Sequence, residues 1–286
     1  MGQDTFGALE AQDRWPLLSA ATGKSVAWLM ARGLHSVAQI EAALGPQAAA
    51  LARRMAQERL RDRPLAQVVG EAGFYGRSFW LTPEVLIPRP DSECLIETGL
   101  SWLSERWAHR PALLRILDLG TGTGCLAITL ALEAQRQGWS TETVATDLSP
   151  QALRLARSNA LWLGARVQFL RGDWAKALPE GLGRFDLILS NPPYLAEDDP
   201  HLADPGLQFE PRLALVGQDQ DSLGLSAYPS LVRAAQDWLE PDGLLVVEHG
   251  WTQQPAVVSL FQQSGFRGIR LIQDLAGRPR AVCAQL

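Results

Sequence analysis

Phe185-Asp186-Leu187-Ile188-Leu189-Ser190-Asn191-Pro192-Pro193-Tyr194 is the stretch on which the reading of this chain turns. An apolar run around a single acid reads as a short buried strand. The run ends on two prolines, which cannot donate ladder hydrogen bonds, so pairing should stop there. Beyond the strand come a polar Asn, two rigid carbonyl-bearing residues and an aromatic ring. In open α/β sheets, the carboxyl ends of strands are where ligands bind.

The cluster Asn191, Pro192, Pro193 and Tyr194 suits one kind of chemistry. The Asn191 side-chain oxygen and the Pro192 carbonyl are both acceptors, and together they match the two hydrogens of a planar NH2 group. Tyr194 can pack over a flat substrate and carries a hydroxyl that can hydrogen-bond. No general base stands out, so positioning would carry much of any rate. The plainer reading is a strand-to-loop turn, since Asn-Pro often begins one.

From Leu113 onward, strand-like and helix-like runs alternate. The spacing predicts strands over Leu114–Leu119, Thr143–Asp147, Val167–Arg171, Phe185–Ser190 and Leu244–Glu248. Helices are predicted over Leu126–Gln137, Gln151–Leu163 and Ser226–Leu239. Such alternation gives a mostly parallel sheet with helices on both faces. Ile269–Gln273 and Arg280–Ala284 are too close for a helical crossover, and so predict an antiparallel pair.

The first of these strands runs into Gly120-Thr121-Gly122-Thr123-Gly124. Glycines after a first strand permit a tight turn and close backbone approach to a ligand. The dinucleotide fingerprint would need a third glycine where Cys125 stands, which weakens a nicotinamide reading. Asp147 ends the next strand, where a carboxylate can accept from both hydroxyls of a ribose. The plainer alternative is that it merely caps the helix that begins near Pro150. Asp173 and Trp174, after the third strand, suit an adenine amino group and its face. Trp174 could instead be core.

Upstream the pattern changes. Residues up to about Val69 carry apolar positions at helical spacing, with breaks at Gly33 and Gly45-Pro46. They predict a small helical domain over residues 1–72, either a substrate-docking module or a stabilising appendage. Residues 73–90 predict a β-hairpin linker, with Phe74–Leu81 and Val85–Ile87 flanking a turn at Thr82-Pro83-Glu84. Residues 91–286 make up the remaining domain. Its first helix is predicted from Ser92 to Trp107, with Asp91 or Ser92 as N-cap.

Composition excludes several classes. The 286 residues suffice for one large domain or two smaller ones. A net charge of -5 gives no support to non-specific nucleic-acid binding, which calls for a basic face. The three cysteines, Cys94, Cys125 and Cys283, have no metal spacing and no even pairing, which fits a reducing cytoplasm. The four histidines lack ligand spacing, so no metal is expected. Residues Met1 to Trp15 hold acids and no apolar core of a signal peptide. No apolar run is long enough to cross a membrane.

The glycine loop, Asp147 and the Asp173-Trp174 pair together resemble the class I S-adenosylmethionine-dependent methyltransferases. Asn191-Pro192-Pro193-Tyr194 resembles the motif of members that methylate a planar amino or amide nitrogen. Val85-Leu86-Ile87-Pro88-Arg89-Pro90-Asp91-Ser92-Glu93 and Phe209-Glu210-Pro211, with Ala214-Leu215, are similar to the peptide chain release factor glutamine methyltransferase family. So are the helical start and Asp274-Leu275-Ala276-Gly277-Arg278.

The resemblance implies an α/β fold: a Rossmann-like, seven-stranded, mostly parallel sheet with a C-terminal antiparallel strand, after a helical domain and a hairpin. It implies S-adenosylmethionine as cofactor and the Gln of the Gly-Gly-Gln motif of class I release factors as substrate. Gly120, Thr121, Gly122, Thr123 and Gly124 would line the methionine end of the cofactor. Asp147 would hold the ribose, and Asp173 and Trp174 the adenine. Asn191 and Pro192 would hold the amide, with Pro193 and Tyr194 against it. The segment Val216–Leu223 departs from the family pattern and carries extra residues, and Pro279 stands where an acid or Asn is common. The rival readings are an adenine-N6 nucleic-acid methyltransferase, a ribosomal-protein glutamine methyltransferase and a non-enzymatic cofactor-binding scaffold.

Overall fold

The computed structural model describes residues 4–106, 112–216 and 222–286. It divides into two compact units, the first made of the chain up to Glu71 together with Ala203–Phe209.

The first unit is helical: α1 (Ala11–Thr22), α2 (Val26–Met30), α3 (Val37–Leu44), α4 (Pro46–Arg59) and α5 (Leu65–Val69). Local chemistry sets its boundaries. Ser36 and Gln39 form a reciprocal capping box at the start of α3. Pro46 opens α4, where its missing N–H costs nothing. Phe6, Leu17, Leu18, Leu29 and Ile40 are fully buried at its centre. Gln67 Nε2 donates to the Phe209 carbonyl at 2.9 Å.

The second unit takes the rest of the chain. Its hairpin pairs β1 (Glu71–Phe74) with β2 (Arg77–Trp80). This places the turn at Tyr75-Gly76, not at Thr82-Pro83-Glu84 as the aromatic runs predict. Tyr75 and Gly76 both have positive φ, 50° and 69°, the backbone twist that a two-residue hairpin loop requires. Residues 81–89 carry no strand.

After the hairpin come α6 (Glu93–Glu105), β3 (Leu114–Leu119), α7 (Cys125–Arg136), β4 (Thr141–Asp147), α8 (Pro150–Leu163), β5 (Val167–Arg171) and β6 (Phe185–Ser190). Next are α9 (Arg212–Leu215), α10 (Tyr228–Trp238), β7 (Leu239–Glu248), α11 (Gln254–Gln263), β8 (Arg267–Gln273) and β9 (Pro279–Gln285). Helix α11 has no counterpart among the helices that spacing predicts. The seven strands form one sheet in the order β5-β4-β3-β6-β7-β9-β8. The first five pair in parallel. β9 runs antiparallel to both of its neighbours, as the short spacing after β8 predicts.

Alternate residues face opposite sides of each strand. Ile116, Ala145, Leu187, Leu189 and Val246 pack in one buried cluster with residues of α6, α7 and α8. Leu117, Leu119, Val144, Ile188 and Val247 pack in another with Tyr228, Leu231, Val257 and Phe261 of α10 and α11. Covering both faces explains why these strands read as near-continuous apolar runs. Residues 217–221, within the segment that departs from the family pattern, lie outside the described residues, as does Trp107, the expected end of the helix after the hairpin. No described helix is long and apolar enough to cross a membrane.

Candidate active site

Strand order reverses at β3, which has β4 on one side and β6 on the other. That switch point opens a crevice beyond the carboxyl ends of the strands. The register fixes what meets there. Asp118 pairs with Leu189, so the residues after β3 and β6, Gly120 and Asn191, come side by side. The Ser190 hydroxyl donates to the Leu119 carbonyl at 2.7 Å, pinning this level. Leu119 pairs with Thr146, which brings Asp147 level with Gly120. Asp147 pairs with Arg171, and Gly172 N–H donates to the Asp147 carbonyl at 3.0 Å.

A cavity of about 300 Å³ lies over these ends. Gly120, Thr121, Gly122, Thr123, Asp147, Asp173, Trp174, Asn191 and Pro193 all line it, so nine residues singled out from sequence converge on one space. Gly124, Pro192 and Tyr194 do not line it. Gly124 serves packing: a Cβ there would come 2.8 Å from Ile128 and 3.2 Å from Ala156. Pro192 is buried. Tyr194 packs against the α10–α11 cluster, with its hydroxyl 3.4 Å from Glu248 Oε1.

Asp147 accepts from Gly122 N–H and Ser149 N–H, each at 2.8 Å and each on a different oxygen. Burial raises its pKa, and these backbone donors pull it back down. Each oxygen keeps a lone pair for a ligand hydroxyl. Asp173 pairs with Lys176 at 2.6 Å. The Trp174 ring lies against bare backbone, 3.3 Å from where a Cβ on Gly120 would sit.

Asp118 is fully buried beneath the loop, where it accepts from Thr121 Oγ1 at 2.6 Å and from Ala127 N–H at 3.3 Å. It ties the glycine turn to the first turn of α7. Burial pushes its carboxyl up to about 7. On the other flank, the side chain of Asn159 in α8 accepts from Trp80 N–H at 2.9 Å and donates to the Thr123 carbonyl at 3.0 Å.

Asn191 Nδ2 donates to Ser92 Oγ at 2.9 Å. Among the described residues, no hydrogen bond occupies its side-chain oxygen. Ser92 ends a segment anchored from two sides. Glu210, with its side chain 1% exposed, accepts from Ile87 N–H at 2.9 Å and pairs with Arg89. Arg280 pairs with Asp91 at 2.8 Å and with the buried Asp274 at 3.0 Å.

Sequence reasoning missed Ser92, Glu210, Arg280 and Glu248 as parts of this construction. The available signal for Glu248 was an acid closing an apolar strand. Glu248 is 1% exposed, and its Oε2 has no hydrogen-bond partner among the described residues. Burial lifts its pKa from 4.5 to about 7, against the opposing pull of the Ser92 hydroxyl, the Arg280 guanidinium and the Tyr194 hydroxyl.

The sign of this shift makes a prediction. An unfolded chain releases the Glu248 proton near pH 4.5, while the folded chain holds it to about pH 7. Across that window the native state binds more protons, so stability falls as pH rises and levels off above it. Asp118, shifted from 3.8 to about 7, acts in the same direction. The Tm of wild type minus that of Glu248→Gln, followed by calorimetry, should therefore decrease from pH 4.5 to 7. A difference that is flat or grows with pH would contradict the assignment.

Among the described residues, no cluster of His, Cys, Asp or Glu is placed to hold a metal ion. Residues 112–267 match a family model described as a methyltransferase domain. The chain is 45% identical over 258 residues to the release factor glutamine methyltransferase of Bordetella pertussis, covering 90% of this chain and 88% of that protein. It is 42% identical to the protein of the same name from Neisseria gonorrhoeae, covering 80% and 79%. Among solved structures, the Thermus thermophilus 16S rRNA N2 G1207 methyltransferase in complex with AdoMet and guanosine superimposes with a TM-score of 0.52. It shares 20% identity and covers 75% of this chain and 49% of that one, a likeness of fold. A crevice built at the switch point of a methyltransferase sheet, with these relatives along nearly its full length, places the chain in the release factor glutamine methyltransferase family.

Proposed function

We propose that the protein transfers a methyl group from S-adenosylmethionine to the side-chain amide nitrogen of the Gln in the Gly-Gly-Gln motif of class I peptide chain release factors. The observation that carries this reading is the position of Asn191. It lines the same cavity as the glycine loop and Asp147, with its NH2 group already engaged by Ser92. The oxygen left over is an acceptor, and an acceptor is what an incoming NH2 group needs.

The residues present fit the donor. Asp147 has lone pairs for two ribose hydroxyls, the glycine turn offers backbone without side chains, and Trp174 supplies a flat apolar face. Bound S-adenosylmethionine would supply a methyl already activated on a sulfonium. The protein's own task is then to make a poor nucleophile adequate. An amide nitrogen has a delocalised lone pair. Asn191 Oδ1 accepts from one of its hydrogens, pushes density toward nitrogen and orients it; Pro192 does not line the cavity, so its carbonyl is a second acceptor only by the family resemblance. A bond of this kind strengthens as positive charge develops on nitrogen, so it raises turnover more than affinity. One of the two protons finally leaves to water as the N–C bond completes. Tyr194, turned toward Glu248, supports the loop that carries Asn191.

Methyl-labelled cofactor incubated with the protein and purified release factor, ribosomal protein or DNA tests the reading. One added methyl on the Gln of Gly-Gly-Gln, located by mass spectrometry, is the expected result. Label only in DNA or only in a ribosomal protein would overturn it. Asp147→Ala should weaken cofactor binding by roughly tenfold or more, since a hydrogen bond to a charged group contributes about 1.5–3 kcal/mol. Unchanged affinity by titration calorimetry would remove Asp147 from the ribose site.

A further inference from the structure

Ser92 stands one residue before α6, a position from which a serine hydroxyl ordinarily accepts a backbone N–H of the first helical turn. That is the role its sequence suggests, and the structure does not use it. The side chain makes no cap hydrogen bond. It is 2% exposed, and its oxygen instead accepts from Asn191 Nδ2, 99 residues away. A buried hydroxyl that forgoes a local cap for a distant carboxamide is committed to that carboxamide.

The commitment has a consequence for orientation. A primary amide has nearly the same shape when its oxygen and nitrogen are exchanged by rotation about χ2, and that torsion is soft. Only one of the two orientations offers an acceptor to the cavity; the other presents an NH2 group, which would face a substrate NH2 as a second donor. A neighbour that accepts from the amide nitrogen selects the first orientation. Ser92 is that neighbour, its oxygen accepting from Asn191 Nδ2 at 2.9 Å. The segment is held firmly enough to impose the choice: Glu210 grips Ile87 and Arg89, and Arg280 grips Asp91.

We propose that Ser92 is a positioning residue for methyl transfer, accepting from the Asn191 NH2 group so that the Asn191 oxygen faces the substrate amide. This rests on the reading of Asn191 as the amide-holding residue.

The test compares Ser92→Ala, Ser92→Cys and Ser92→Thr with wild type. Ser92→Ala should lose roughly ten- to thirtyfold in kcat, the scale of one lost hydrogen bond in the transition state. Its affinity for S-adenosylmethionine should be unchanged. Ser92→Cys keeps the shape but is a weak acceptor, so it should be slow as well. Ser92→Thr keeps the hydroxyl and should recover most of kcat. In NMR spectra of protein labelled with 15N, the two side-chain NH2 protons of Asn191 should be held alike in wild type and Ser92→Thr, and exchange faster in Ser92→Ala and Ser92→Cys. Full turnover in the Ala or Cys variant, a Thr variant as slow as Ala, or Asn191 amide signals indifferent to the substitutions would each overturn the proposal. If wild type methylates no release factor, the proposed function fails by itself, while the Asn191 amide signals still decide the role of Ser92.

Discussion

Asn191→Ala should lower kcat by roughly 10²–10³, the range found when one oriented polar group is removed from a site that stabilises developing charge. The loss should fall on turnover. Asn191 is one of many residues around the cavity, and the residues proposed to hold ribose and adenine follow other strands. Cofactor affinity should therefore stay within a few-fold of wild type. The variant should also fold. Asn191 comes after β6, and the β6 ladder ends before it. Among the described residues, the bond lost with the side chain is the one to Ser92 Oγ. Steady-state assays with saturating labelled cofactor and release factor measure kcat directly. Near-normal turnover in a folded Asn191→Ala protein would remove the carboxamide from the mechanism and, with it, the argument for Ser92.

The strand ends of this site were legible because the signals are local. A buried parallel strand is an apolar run, and it ends on residues that cannot continue it: Gly120 after β3 and Pro192 just beyond β6. Register did the rest, since fixing β3 against β6 sets the glycine loop beside Asn191 without further information. The supports were not legible because they are pairings over long sequence separations. Ser92 looks like a cap because its local context is a helix start; its actual partner is chosen by tertiary packing. Glu210 reaches back across 123 residues to Ile87. The hairpin was misplaced for a different reason. Thr82-Pro83-Glu84 has turn composition, whereas the real turn uses a tyrosine at positive φ, which propensity disfavours and packing permits. Tyr194 shows the same limit. Its ring is adjacent in sequence to the residues proposed to hold the amide, yet it packs inward and its hydroxyl points to Glu248.

Gly224→Ala should lower kcat by about 10² while leaving cofactor affinity nearly intact. Gly224 has φ +66°, and a Cβ there would sit 2.1 Å from the Tyr194 carbonyl oxygen and 2.8 Å from its carbonyl carbon. Real Cβ contacts essentially never fall below 3.0 Å, so one of the two backbones must retreat by about an ångström. Neither is free to do so cheaply. The same Tyr194 oxygen accepts from Gln253 Nε2 at 2.7 Å, and Gln253 Nε2 also donates to Leu223 O at 2.6 Å. Gln253 Oε1 in turn accepts from Gly250 N–H at 2.8 Å. Moving the Tyr194 peptide therefore moves the loop that holds Asn191, three residues earlier, and a misplacement of about 1 Å in a positioning group costs on the order of 10²-fold. Gly164→Ala supplies the control. It has φ +74° with nothing within 4 Å of the added Cβ, so it carries the conformational cost of about 1 kcal/mol without the collision. Its Tm should fall by a few degrees and its kcat should not change. If Gly224→Ala turns over as fast as Gly164→Ala, the loop is loose, and close packing behind Tyr194 is not what holds Asn191 in place.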